Sequence, residues 1–321
     1  MHVHIQNRPN DSFLPLGLEI VQAVDGADAY QFTVSDTDAG FAAAMATAEI
    51  LVTTSDQLKL RFPCPAPGLR AVFLKHAGVD ALLVNNPLPP GVMLLNNSGA
   101  HASRAGEYVL MATLMLRSGM QRFIGQQQEH KWLPHFSGML AGTRATILGV
   151  GGLGAGSARA LRPHGVHLTG VRNNAKPHPD FDRTVNTSEL DAVLETTDIL
   201  VLAAPLTPAT RGIIGAARLK LLPTHAAIIN IARGELIDEA ALIAALTNGE
   251  IAGAVLDVQT TEPLPADDPF WTTPNLVITP HVSSTDVTSY GGETVRILLN
   301  NLDDIESGRT PRNLVNLQRG Y

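Results

Sequence analysis

The chain has 321 residues, 45 % hydrophobic and 17 % charged, with a formal net charge of −7. That length allows two domains with sizeable cores, and the acidic balance gives a nucleic-acid partner no global electrostatic support. Cys64 is the only cysteine, so an intrachain disulfide is excluded. With no signal-peptide core in residues 1–10 and an apolar run at 108–116 too short to span a bilayer, a reducing, cytoplasmic setting without a membrane is expected.

In chain order, residues 1–6 read as a first strand, 48–53 as a second and 69–74 as a third, with an alanine-rich helical segment at 36–48. This alternation predicts a small α/β domain. Pro87, Pro89 and Pro90 punctuate the chain before a short strand at 92–95. A helix follows from about residue 102 to 116, with Leu110 and Leu114 at helical spacing, and the polar stretch 121–131 reads as a connection. From residue 143 onward the pattern repeats, with strands at 145–148, 166–171, 199–203, 226–231, 252–258 and 276–279 and helices between most of them. Six short apolar strands alternating with helices predict a parallel sheet covered on both faces. A last helix over 289–305 is expected to return to the first domain.

The strand at 145–148 runs into Gly149-Val150-Gly151-Gly152-Leu153-Gly154, and a helix follows from Ala155 until Pro163 and Gly165 close it. This is the spacing of a dinucleotide-binding turn. The first glycine permits the tight turn, the second lets the backbone approach a pyrophosphate, and the third lets helix and strand pack closely. An ordinary glycine turn is the competing reading, and the strand before it and helix after it argue against that. The end of the next strand selects the cofactor, because a carboxylate there accepts hydrogen bonds from the adenosine ribose of NAD. Here Arg172 stands 18 residues after Gly154, followed by Asn173, Asn174 and Lys176, with no carboxylate until Asp180. A guanidinium favours a 2′-phosphate by charge and geometry, so NADP(H) is preferred over NAD(H). The alternatives are a solvated Arg172, or one stacked on the adenine that accepts either cofactor.

Three segments near the ends of later strands carry ionisable residues: 230–234 with Arg233, 257–265 with Asp257 and Glu262, and 279–284 with His281. In a parallel sheet, ligands bind outside the carboxyl ends of the strands. Hydride transfer to a 2-oxo acid needs these residue types. An arginine fork holds the substrate carboxylate and carbonyl oxygen, and a histidine gives a proton to that oxygen as it gains charge. A carboxylate beside the histidine favours the imidazolium. Arg233, His281 and Glu262 can fill these roles. Taken singly, His281 could be a structural or surface group, Glu262 could end a loop before Pro263, and Arg233 could pair with Glu235 or Asp238. Their joint placement after consecutive strands favours catalysis.

With 202–212 (Leu202 to Gly212) and 230–238 in view, the sequence resembles the D-isomer-specific 2-hydroxyacid dehydrogenase family almost unbroken from Gly99 to Ser284. The intervals fit as well, with 29 residues from Arg233 to Glu262 and 19 from Glu262 to His281. The resemblance implies catalytic roles for Arg233, Glu262 and His281. It implies that backbone N–H groups of Ala77, Gly78 and Val79, in the motif that ends at Asp80, hold the substrate carboxylate. It implies cofactor contacts at Gly149, Gly151, Gly152, Leu153, Gly154, Arg172, Pro205, Thr210, Ile231, Asp257 and Ser283, and no metal. Residues 69–73 leading into the substrate loop look most like the glyoxylate/hydroxypyruvate reductase type.

The implied fold is α/β: two Rossmann-like parallel-sheet domains, with a cofactor domain (100–286) inserted into a discontinuous substrate domain (1–99 plus 287–321) and the active site in the cleft between them. The implied activity is hydride transfer between NADP(H), with NAD(H) as a second cofactor it could take, and a small 2-oxo or D-2-hydroxy acid. The alternative is a cofactor-sensing NADP(H)-binding protein with little turnover. Formate oxidation is disfavoured, because that branch carries glutamine where Glu262 stands. A homodimer is implied by the helix near Ala102 and the arm at 121–132, against a monomer with an exposed connection. No regulatory module is expected after Tyr321. Three departures stand out: Arg172 replaces the acid common in NAD users, Gly152 replaces a larger polar residue and is expected to weaken the pyrophosphate grip slightly, and Gln259 replaces an apolar or aromatic residue.

Overall fold

The computed structural model describes residues 1–8, 15–79, 82, 87–284, 286 and 288–318. It divides into two compact units, Met1–Ala100 with Asp286–Tyr321, and His101–Thr285.

The first unit is built on strands β1 (His2–Gln6), β2 (Gln31–Ser35), β3 (Ile50–Thr53), β4 (Ala71–Leu74) and β5 (Met93–Leu95). They pair in parallel in the order β2-β1-β3-β4-β5. Strands β3 and β4 are buried at every position, as unbroken apolar runs require when both faces of a sheet are covered. On one face Val3, Ile5, Ile50, Val52 and Phe73 pack with Val295, Leu298 and Leu302 of the helix Tyr290–Glu306. On the other, Leu51, Val72 and Leu74 pack with Phe41, Met45 and Leu58. The helix Asp38–Met45 starts where Thr37 accepts a hydrogen bond from the Gly40 N–H, satisfying one donor that the first turn leaves open.

The second unit carries β6 (Arg144–Leu148), β7 (His167–Arg172), β8 (Arg183–Asn186), β9 (Ile199–Leu202), β10 (Ala227–Asn230), β11 (Gly253–Leu256) and β12 (Leu276–Ile278). Their order is β12-β11-β10-β9-β6-β7-β8, and every pair is parallel. The chain reverses direction across the sheet between β6 and β9, the place where an open α/β sheet leaves a ligand crevice. The helix Ala102–Ser118 crosses the helix Gly152–Leu161 at near backbone contact. A Cβ on Gly106 would lie 2.6 Å from the Gly156 carbonyl oxygen, and one on Gly156 would lie 2.0 Å from that of Ala102. Among the described residues no helix is long and apolar enough to cross a membrane.

Among the elements that the structure adds to those read from the sequence are two strands and a helix in the 120s. Strand β2 and strand β8 are edge strands, and neither has a fully buried run. Half-exposed edges do not leave the apolar block that marks a central strand. The sheet of the second unit therefore has seven strands rather than six. Residues Met120–Gln128 form a helix where a connection was expected. None of its residues is buried, so no core-facing stripe marks it in the sequence.

Candidate active site

The glycine turn follows β6 at the reversal point. Gly149 has φ +102°, and a Cβ there would lie 2.5 Å from the Ala204 nitrogen beyond β9. A Cβ on Gly154 would lie 1.9 Å from the Gly149 carbonyl oxygen. Both positions exclude any other residue. Gly151 differs: a Cβ there meets nothing within 4 Å, so this glycine faces open space above the sheet. It also precedes the helix Gly152–Leu161, whose first turn has no side-chain cap. Open donors at a helix N-terminus beside a backbone without a side chain suit a pyrophosphate. Leu153 is partly buried against the core behind the turn.

Arg172 ends β7. Among the described residues it makes no ion pair; Nη1 reaches only the Lys176 carbonyl, at 3.5 Å. Asp180, the nearest carboxylate in sequence, is taken by Arg159 at 2.6 Å. The loop after Arg172 is itself fixed, since Asn186 donates to the Asn173 carbonyl at 2.6 Å and Thr184 to the Lys176 carbonyl at 3.0 Å. After β9, the Thr210 hydroxyl donates to the exposed Pro205 carbonyl at 2.7 Å and accepts from the Thr207 N–H at 2.8 Å, closing that loop on itself. Ile231 is buried, 3 % exposed, at the start of the loop after β10.

Arg233 leaves β10 through a turn held by buried Asn230. The Asn230 side chain accepts from the Ala232 N–H at 3.1 Å and donates to the Arg233 carbonyl at 2.8 Å. The arginine Nη1 donates to the Ala232 carbonyl at 2.7 Å. The two acids nearest to it in sequence face other groups: Glu235 faces Arg211 at 3.7 Å, and Asp238 caps the helix Glu239–Thr247 by accepting from Ala241. Gly234 lies against the next loop. A Cβ there would be 2.1 Å from the Gln259 carbonyl carbon and 2.2 Å from the Thr260 nitrogen.

That loop carries Glu262. Its Oε1 accepts from the Gln259 N–H at 3.0 Å, and its Oε2 accepts from His281 Nδ1 at 2.8 Å. Gln259 is buried, and its side chain donates to the Leu256 carbonyl at 3.3 Å. A polar residue at this position thus ties the loop back to the end of β11. With Nδ1–H given to the carboxylate, Nε2 is the ring nitrogen left to exchange a proton with a ligand. The His281 side chain is 48 % exposed and can do so. His281 adopts φ +54°, a left-handed conformation that residues other than glycine take infrequently. Ser283 is buried, and its hydroxyl has no hydrogen-bond partner among the described residues. Asp257 is fully buried and accepts from the Val282 N–H at 2.9 Å and the Ser283 N–H at 2.8 Å. Glu262 and His281 are thus in direct contact, while Arg233 joins them through the Gly234 packing on residues 259–260. No group of three or more His, Cys, Asp or Glu that could hold a metal is found among the described residues.

In the other unit, the loop after β4 is pinned by His76. Its Nδ1 donates to the Gly78 carbonyl at 2.8 Å and its Nε2 accepts from the Ser55 N–H at 3.0 Å. Asn96 donates to the Ala77 carbonyl at 3.0 Å. Carbonyls of the loop are thereby held inward, and the N–H groups of Ala77, Gly78 and Val79 donate to none of the described residues. Val79 is buried at 2 % exposure, and Asp80 lies outside the described residues. Lys75 is 6 % exposed and donates to Asn7 at 2.9 Å.

The sequence matches the model of the D-isomer specific 2-hydroxyacid dehydrogenase NAD binding domain over residues 110–283. Glyoxylate/hydroxypyruvate reductase A of Yersinia enterocolitica is 34 % identical over 259 residues, covering 79 % of this chain and 82 % of that protein. Among solved structures, a D-isomer specific 2-hydroxyacid dehydrogenase from Xanthobacter autotrophicus Py2 in complex with NADPH and MES is similar at TM-score 0.82 and 29 % identity, over 100 % of this chain and 99 % of that one. The NADPH-dependent glyoxylate/hydroxypyruvate reductase of Sinorhizobium meliloti, in complex with NADP and sulfate, is similar at TM-score 0.80 and 26 % identity, with coverage of 100 % and 99 %.

Proposed function

The chain belongs to the D-isomer specific 2-hydroxyacid dehydrogenase family, and from that premise we propose that it reduces a small 2-oxo acid, of the glyoxylate or hydroxypyruvate type, with NADPH in preference to NADH. The observation that carries this reading is the His281–Glu262 pair at 2.8 Å, on the same sheet edge as Arg233 and the glycine turn. The residues fit a dinucleotide, because Gly151 is open and the helix behind it is uncapped. When bound, NADPH supplies the hydride. Arg233 holds the substrate carboxylate and carbonyl oxygen through its planar fork. His281 gives its Nε2 proton to that oxygen as negative charge develops, while Glu262 fixes the ring and stabilises its cationic form. Ala77, Gly78 and Val79 offer backbone N–H groups to the substrate carboxylate. Arg172 takes the 2′-phosphate of the cofactor, and Pro205, Thr210, Ile231, Asp257 and Ser283 line the rest of its site.

We also propose a homodimer. Trp132 is 97 % exposed, Phe136 90 % and Met139 83 %, all in one stretch after the helix Met120–Gln128. Three large apolar side chains bared so close together mark a protein-contact surface. A second copy is the partner the family implies, and light scattering should give twice the chain mass.

The test is an activity matrix of NADPH and NADH against a panel of 2-oxo acids. Oxidation of NADPH with glyoxylate or hydroxypyruvate is expected. Binding of NADPH without turnover on any acid would instead favour a cofactor-sensing protein. Arg172→Asp should move the preference toward NADH, since it replaces a phosphate partner by a ribose acceptor. An unchanged ratio of the two rates in that variant would remove Arg172 from the cofactor assignment.

A further inference from the structure

His281 holds a left-handed backbone conformation, which carries an energetic cost for a residue other than glycine. Asp257 offsets that cost. Its main-chain carbonyl accepts from the His281 N–H at 2.9 Å, and its carboxylate accepts from the next two N–H groups at 2.9 and 2.8 Å. The 279–283 turn is therefore wrapped around one buried carboxylate. A further donor reaches the same group: the Thr279 hydroxyl donates to Asp257 Oδ1 at 2.5 Å. With that proton spent, the Thr279 oxygen can only accept from the Tyr108 hydroxyl, which lies at 2.6 Å. Proton direction along the chain is thus fixed, from Tyr108 to Thr279 to Asp257.

Tyr108 is 2 % exposed, in the middle of the helix Ala102–Ser118. Burial pushes its phenol up to about 12, against the Thr279 bond and with the Asp257 charge, so it stays protonated and keeps donating. The helix that carries it is locked at Gly106 and Gly156 to the helix behind the glycine turn. At its start, His101 Nδ1 donates to the Ser284 carbonyl at 2.8 Å. One helix therefore grips the histidine loop at both ends, through Thr279 and through Ser284.

We propose that Tyr108 and Thr279 are positioning residues, a hydroxyl relay that orients the Asp257 carboxylate and so holds His281 in register with the helix behind the cofactor turn. Neither touches the reacting atoms in this assignment; both act through Asp257. The inference rests on the reductase reading above.

The test uses the full-length enzyme with Tyr108→Phe, Thr279→Val, Thr279→Ser and the Tyr108→Phe/Thr279→Val double variant. Misplacing a reacting group costs up to about 10²-fold, so Tyr108→Phe and Thr279→Val should each lower kcat by about 10- to 100-fold. KM for the 2-oxo acid should stay within about twofold, since Arg233, in the loop after another strand, would carry that binding. Thr279→Ser should keep kcat near the parent, because the hydroxyl and not the methyl group is used. The double variant should be no worse than Thr279→Val alone, because one cut already severs the relay. Unchanged kcat in Tyr108→Phe, losses that add in the double variant, or a Thr279→Ser loss as deep as that of Thr279→Val would each overturn the proposal. Amide exchange at Val282 and Ser283 decides the matter without turnover: it should quicken in Tyr108→Phe, and unaltered exchange rejects the relay. A parent protein that oxidises NADPH with no acid at all would overturn the reductase reading and leave this second measurement to judge the relay.

Discussion

At the carboxyl edge of the seven-stranded sheet, each loop with a candidate catalytic side chain is tied down by a buried polar residue at or just beyond the end of a strand. Asn230 holds the Arg233 turn, Gln259 anchors the Glu262 loop, and Asp257 gathers the His281 turn. At the carboxyl edge of the five-stranded sheet, His76 and Asn96 hold carbonyls of the 77–78 loop, and what the loop offers outward is main chain. In the proposed reaction the two edges would do different work. Proton transfer and carboxylate binding by side chains require those groups to be preorganised, and preorganisation needs specific neighbours. Binding an anion with backbone N–H groups requires only a loop of the right shape.

The strongest way to break this contrast is His281→Ala. If the seven-stranded edge carries the chemistry, kcat for 2-oxo acid reduction should fall by about 10²–10⁴-fold, the usual share of a general acid. NADPH binding, measured by fluorescence titration, should change little, because the glycine turn follows a different strand. A variant that keeps the parent rate would move the proton donor elsewhere.

The same contrast explains what was legible in the sequence. The proposed roles of Arg233, Glu262 and His281 could be read because hydride transfer to a 2-oxo acid demands particular residue types at the ends of strands. Gly149 and Gly154 were legible because the backbone tolerates nothing else there. Asn230 and Gly234 lie in the 230–234 segment, yet their work is invisible in sequence, since a hydrogen bond to a turn and a backbone approach across two loops are long-range facts. Gln259 read as an anomaly until its buried side chain was placed against the Leu256 carbonyl. Strand β8 and the helix Met120–Gln128 escaped for the opposite reason, having too little buried surface to pattern the chain. The proposed substrate loop at 77–79 rests on the family resemblance, because a site made of main chain leaves no side-chain signature.

Gly234→Ala sharpens the comparison at a smaller scale. The new methyl would meet the backbone of residues 259 and 260 at 2.1 and 2.2 Å, and backbone cannot turn aside as a side-chain tip can. Overpacking of this kind costs about 1–3 kcal/mol. The loop that must move carries Glu262, so kcat should fall together with thermal stability. An alanine variant with the parent kcat would show that Arg233 and Glu262 do not need their loops in contact.

The smallest effect belongs to the five-stranded sheet and concerns pH. His4 in β1 is 1 % exposed, with Nδ1 at 2.9 Å from the Thr33 hydroxyl and Nε2 at 3.1 Å from that of Ser35 and 3.3 Å from Gln6 Oε1. Burial lowers its pKa, the Gln6 hydrogen bond opposes that, and the charge of His2 adds to it. A histidine with a depressed folded pKa contributes its full stability above its unfolded value of about 6.5 and loses it as pH falls below that, because only the unfolded chain takes up the proton. Stability should therefore drop on acidification from about pH 7.5 to about pH 5.5. His101 in the other unit is shifted the same way, chiefly by burial, so His4→Gln should flatten the slope without abolishing it. Calorimetry at both pH values on the parent and the variant measures this directly. Should the two units unfold in separate transitions, only the one that contains β1 should change its slope. Parallel slopes in both transitions would mean that His4 finds a way to take its proton while folded, and that the polar row on this sheet is more open than its burial implies.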